Sequence, residues 1–194
     1  MKSCVESYHN LLEILHNICI YSNIFYIIAG LMCFMNFKKY YKVFGIFLLT
    51  IATVSIIHHS NKKVIMSQTI WSTLDIVLAN ICGIVAILTM IYLLSKKKTH
   101  VNLAITTILM GVISIVFFIF SEIEAVRLGN TTPSDPIKSW GGKIFTTTDF
   151  NKDIDYTEQS QQAMYLCYHT IWHILSGLTA IIWTISIISK PVRK

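Results

Sequence analysis

The sequence predicts an all-α protein: a polytopic transmembrane bundle of about five helices, with its N-terminus outside or lumenal and its C-terminus cytosolic. Three observations carry that expectation. The 194 residues are 54% hydrophobic and only 13% charged, which is too apolar for a water-soluble domain. The apolar residues fall in blocks long enough, or nearly so, to cross a hydrocarbon core of about 30 Å. The blocks are apolar nearly all round and do not alternate. They therefore predict helices, which satisfy their own backbone in lipid, and not the strands of a barrel.

The first block, 11–35, starts late and outruns the roughly 7–15 residues of a signal-peptide core, so it reads as a retained helix. The second, 40–59, is the weakest, because its uncharged run extends only from Val43 to Ile57. The third, 73–94, contains one charge, Asp75, and the fourth, 101–120, contains none. The fifth, 163–189, carries His169 and His173. Prolines are few, and neither a low-complexity linker nor a repeat interrupts the chain, so residues 1–194 read as a single domain. Between the fourth and fifth blocks lies a polar stretch, 121–162. It is long for a connection and could form a lid over the outer face. Its Thr-Thr-Pro-Ser-Asp-Pro run reads as turns and Trp140 as an interfacial anchor.

The lysines orient the bundle. Lys38, Lys39 and Lys42 follow the first block, Lys96, Lys97 and Lys98 the third, and Lys190, Arg193 and Lys194 the fifth. Five crossings put all of them on one side, which the positive-inside rule makes cytosolic. The opposite side receives the N-terminus, Lys62, Lys63 and the loop 121–162. That loop holds Asn130-Thr131-Thr132, a glycosylation acceptor if it faces a secretory lumen. The expected location is an integral protein of the endoplasmic reticulum/Golgi or plasma membrane. The net charge of +6 reflects this topology. No basic face is interleaved with exposed aromatics, so no nucleic-acid partner is expected; the partners are the lipid bilayer and a membrane lipid substrate.

The same topology gathers the ionisable groups. His58 and His59 end the second block at its outer side, Asp75 opens the third, and His169 and His173 lie one to three turns into the fifth. His-x3-His is a weak motif by itself, since seven histidines produce such pairs by chance. The common depth is the stronger signal. His59, His169 and His173 can offer three imidazole nitrogens to a zinc ion, with a fourth position left for water. Ser55, one turn deeper than His59 on the same face, could steady an oxyanion, and Asp75 could act as general base toward a water on the metal. The plainer alternatives are polar residues at helix ends, an aspartate favoured by the helix N-terminus and a packing hydroxyl. Ligation of a haem by His59 with His169 or His173 is a further alternative.

Ser55-x3-His59, an Asp at the start of the next helix, and His169-Thr-Ile-Trp-His173-Ile-Leu-Ser-Gly in the last resemble the alkaline ceramidase and adiponectin-receptor superfamily, called CREST. That group also includes GPI-processing phospholipases and the myomaker fusogen. The resemblance implies zinc on His59, His169 and His173, with Ser55 and Asp75 holding the reactive water. The family usually has seven helices, so a pair is missing between the third and fourth blocks, and a homodimer is one way to replace it. The step from His59 to Asp75 is closer to the myomaker-like branch than to the ceramidases. The family's N-terminal calcium site is matched at best by Glu6 and Glu13, for which a solvated acidic N-terminus is the alternative. The expectation is zinc-dependent hydrolysis of a lipid amide or ester, with a ceramide-like sphingolipid amide first among substrates. A receptor- or fusogen-like protein with structural zinc is the alternative.

Of the five cysteines, Cys19, Cys33 and Cys82 lie in apolar blocks, where Cys serves as a small hydrophobe. Cys4 and Cys167 lie toward the outer side and could pair, although spacing does not decide connectivity. Trp172 stands between the two histidines and either packs or shields the site.

Overall fold

The chain, seen in a computed structural model, is described over residues 2–36, 39–60, 70–131 and 156–189. All its regular elements there are helices: α1 (Lys2–Ser22), α2 (Ile24–Phe34), α3 (Lys39–His59), α4 (Ile70–Ser95), α5 (Val101–Thr131) and α6 (Tyr156–Ile188). They supply five spans long and apolar enough to cross a membrane, the first of which, Asn10–Phe34, joins α1 to α2. The expected five-helix bundle is therefore what forms.

Two boundaries differ from those expected. The first block is divided at Asn23, where the backbone N–H bonds the Ile20 carbonyl (3.3 Å) in a tighter i→i+3 turn while the dihedrals stay helical. The Asn23 amide donates to the carbonyls of Cys19 (3.0 Å) and Ile20 (3.3 Å), and the Ser22 hydroxyl donates to the Cys19 carbonyl (2.8 Å). Side chains thus answer carbonyls at this tightened turn, as a membrane helix requires. The second difference concerns the stretch 121–162, expected as a loop. α5 continues through it to Thr131 and α6 begins at Tyr156. Hydropathy marks where a helix meets lipid and not where it ends. Glu124 pairs with Arg127 one turn on, and good helix formers such as Gln159, Gln161 and Gln162 extend α6 backward. The lid and its Trp140 fall outside the described residues.

α6 is the axis of the bundle. In its most apolar window 44% of residues are buried, against 22% in those of α4 and α5, which turn broad faces to lipid. Along α6 runs α1–α2, parallel to it and in register. Cys19 Sγ meets Thr170 Oγ1 at 3.3 Å, and two heptads later Cys33 Sγ meets Thr184 Oγ1 at 3.8 Å, with the same sequence offset of 151 in both pairs. Between them, a Cβ on Gly177 would lie 2.9 Å from Phe25 Cβ, so the glycine is what lets the helices close. α2 and α3 approach as tightly: a Cβ on Gly45 would stand 2.8 Å from the Gly30 carbonyl oxygen. Small residues at crossings are the usual means of helix packing in lipid, where no hydrophobic drive separates tails from side chains.

The lysine-bearing end is closed by hydrogen bonds to the last carbonyls of α6. Tyr41 donates to the Ile187 carbonyl at 2.6 Å and Thr99 to the Ser186 carbonyl at 3.2 Å. α4 stops in a Schellman turn, in which Lys98 N–H bonds the Leu93 carbonyl and Lys97 N–H the Leu94 carbonyl. Lys97 takes the left-handed position, at φ 51°. For an L-residue other than glycine that position costs roughly 1–2 kcal/mol.

Candidate metal centre

Four side chains from three helices meet at the opposite end of the bundle. His59 is the last residue of α3, Asp75 sits in the second turn of α4, and His169 and His173 occupy successive turns of α6. One ligand atom from each lies within 4.8 Å of those of the other three, and all four residues are buried, so the group could hold a metal ion. The i, i+4 spacing places both α6 histidines on one face, and the parallel α1–α2/α6 seam sets which way that face looks. His59 Nε2 is 3.0 Å from His173 Nε2, which is 3.2 Å from His169 Nε2. Asp75 Oδ2 is 3.4 Å from His59 Nε2 and 3.8 Å from His173 Nε2.

The polar accounting does not close within the protein. Asp75 is 1% exposed, and neither of its carboxylate oxygens has a hydrogen-bond partner, although Oδ2 is within ion-pair distance of His59. His169 Nδ1 and Ser55 Oγ are also buried without a partner. Buried polar atoms are nearly always satisfied, and a buried bare carboxylate is among the most costly groups a protein can carry. Three imidazole nitrogens and a carboxylate oxygen converge where one cation would answer them together.

Aromatic rings hold the imidazoles. Tyr165 stacks on His169 with centroids 5.3 Å apart, and Trp172 packs edgewise on both His169 and His173. Trp172 is itself buried against Phe118, so it both packs and covers the centre. Nearer the bundle's middle, α4, α5 and α6 leave a seam of about 10 Å³, lined by Asn80, Gly83 and Ser176 among others. That is room for about one water.

The expected residues sort clearly. His59, Asp75, His169 and His173 come together; Ser55 is buried one turn inward on α3. His58 is half-buried with its ring against His59 and is not one of the four. Glu13 is exposed, and the side chains of Glu6 and Asn130 lie outside the described residues. Cys167 is a free thiol; the Cys4 side chain also lies outside the described residues. His59, His169 and His173, from which the haem alternative draws its pairs, all belong to this one cluster. Sequence reasoning missed His16, a buried residue of α1 whose ring meets His59 edgewise at 5.9 Å. The available signal was an ionisable residue within an apolar run. No protein-family model matches the chain, and no curated protein or solved structure matches it.

Proposed function

We propose that the protein is an integral-membrane, zinc-dependent hydrolase of a lipid amide or ester, a shortened relative of the ceramidase and adiponectin-receptor superfamily, with a ceramide-like amide as substrate. The observation that carries this reading is the bare, buried carboxylate of Asp75 beside three converging imidazoles. Zinc–nitrogen bonds of about 2.0–2.1 Å in a tetrahedron put neighbouring ligands about 3.3 Å apart. The two imidazole separations of 3.0 and 3.2 Å are close to that value, and Asp75 Oδ2 stands 3.4 Å from His59 Nε2.

Zinc bound there supplies a Lewis acid and makes hydroxide accessible near neutral pH. The chain's own groups do the rest. Asp75 accepts a proton from the attacking water and returns it to the leaving amine or alcohol. Ser55, whose hydroxyl has no partner inside the protein, donates to the oxygen that gains charge when the carbonyl is attacked. Tyr165 and Trp172 fix the imidazole planes and keep bulk water out. The apolar helices hold the acyl chain, which suits a site entered sideways from the bilayer.

One observation favours a second reading. Asp75 Oδ2 lies close enough to His59 and His173 to serve as a fourth ligand, and four protein ligands make a closed, structural zinc site, as in a receptor- or fusogen-like protein. Zinc content of detergent-purified protein, prepared without chelator, tests both. Wild type should hold one zinc per chain and His173→Ala should lose it; no metal in either sample would sink both readings. Asp75→Asn then separates them. A hydrolase keeps its zinc and loses more than about 100-fold in release of fatty acid from ceramide. A closed structural site instead loses metal affinity and has no turnover to lose.

A further inference from the structure

A second cavity lies at the other end, far from the histidines. About 190 Å³ opens between the first turns of α3 and the last turns of α4 and α6, walled by Tyr41, Phe44, Thr89, Leu93 and Trp183. That is room for about six water-sized groups, yet the walls are almost wholly aromatic and aliphatic, and apolar cavities stay dry and take apolar guests. Trp183 adds one polar feature: it is fully buried on the cavity wall, packs edgewise on Phe44, and its indole N–H has no acceptor.

Charge says what reaches this cavity. Lys39 and Lys42 stand exposed on the first turn of α3, and Lys96, Lys97 and Lys98 are exposed just past the end of α4. These are two of the three elements that wall the cavity. Among the described residues no acidic side chain answers them: Glu13, Asp75, Glu122 and Glu124 all lie on the half of the bundle that holds the histidines. Lys97 is an independent sign. It holds a left-handed backbone position, φ 51°, where glycine is the least costly residue. Strain kept at such a position points to a function for the side chain.

We propose that this cavity binds one anionic glycerophospholipid from the leaflet at the lysine-bearing face. One acyl chain fills the aromatic cavity against Phe44 and Tyr41, and the phosphate sits between Lys39/Lys42 and the Lys96–Lys98 turn. Basic pockets between membrane helices recognise lipid headgroups in this way. The site is independent of the metal centre and would stand whether or not the chain hydrolyses lipids.

Quenching of tryptophan fluorescence by lipids brominated on the acyl chain tests it on the full chain in neutral detergent. Brominated phosphatidylserine should quench saturably and at least about tenfold more tightly than brominated phosphatidylcholine. Replacing Lys39 and Lys42 by Gln, both exposed, should weaken binding about fivefold per charge, and Trp183→Phe should remove the saturable component. Lys97→Gly gives the sharpest reading, since it should raise the melting temperature by relieving the turn and weaken phosphatidylserine binding at the same time. Equal quenching by the two lipids would overturn the proposal. So would charge dependence that survives Trp183→Phe unchanged, because the lipid would then sit on the surface and not in the cavity.

Discussion

At the lysine-bearing end of the bundle, the last carbonyls of α6 are answered inside the protein, by Tyr41 and Thr99; the Trp183 indole N–H has no acceptor, and the charges lie exposed. At the histidine end the ionisable groups are inside, and several of their atoms have no hydrogen-bond partner. Asp75, His169 and Ser55 all carry buried atoms with no partner, and the imidazoles crowd one another nitrogen to nitrogen. Both ends are built from the same six helices and the same seams. The difference teaches that the buried ionisable groups gather at the histidine end, where one cation could answer them together, whereas the other end keeps its charges exposed.

Removing metal should break this contrast most strongly. A ligand that binds the folded state a thousandfold above its dissociation constant adds about 4 kcal/mol. Chelation should therefore lower the melting temperature by several degrees and speed hydrogen exchange around His59 and His169, while amides near Ile187 stay protected. Uniform loosening at both ends would mean that the histidine cluster is not where the metal acts.

Packing should give a smaller effect, independent of metal. Gly45→Ala forces a Cβ to within 2.8 Å of the Gly30 carbonyl oxygen and should cost about 1–3 kcal/mol with zinc content unchanged. Gly83→Ala meets open space and should be neutral or stabilising by up to about 1 kcal/mol. Thermal melts of the two variants in one detergent make the comparison, and equal losses would refute the crossing geometry. The smallest effect belongs to Tyr41→Phe. Losing its bond to the Ile187 carbonyl should cost about 1 kcal/mol and leave zinc binding alone; a shift in zinc affinity would show that the two ends are coupled.

Much of this was legible beforehand. The five spans follow from hydropathy, and the shared depth of His59, Asp75, His169 and His173 follows from counting crossings. Helix ends were less legible: residues 121–131 and 156–162 are helical yet polar, and hydropathy reports contact with lipid alone. His16 went unnoticed because one ring in an apolar run carries no spacing partner. The distance along the chain between the described acidic residues and the lysine turns was present in the sequence, but it acquired meaning only beside the cavity between those turns.

What the sequence determined by itself is position along the membrane normal. Block length sets the crossings, lysines separate the two ends, and the i, i+4 step puts His169 and His173 on one face. What the tertiary structure decided is rotation and lateral arrangement. These helices are apolar nearly all round, so burial does not choose which face turns inward. That choice falls to close contacts, Gly45 against Gly30 and Gly177 against Phe25, and to the two Cys–Thr pairs that lock α1–α2 against α6. In lipid, where tails are as apolar as side chains, only such packing and polar contacts distinguish one rotation from another.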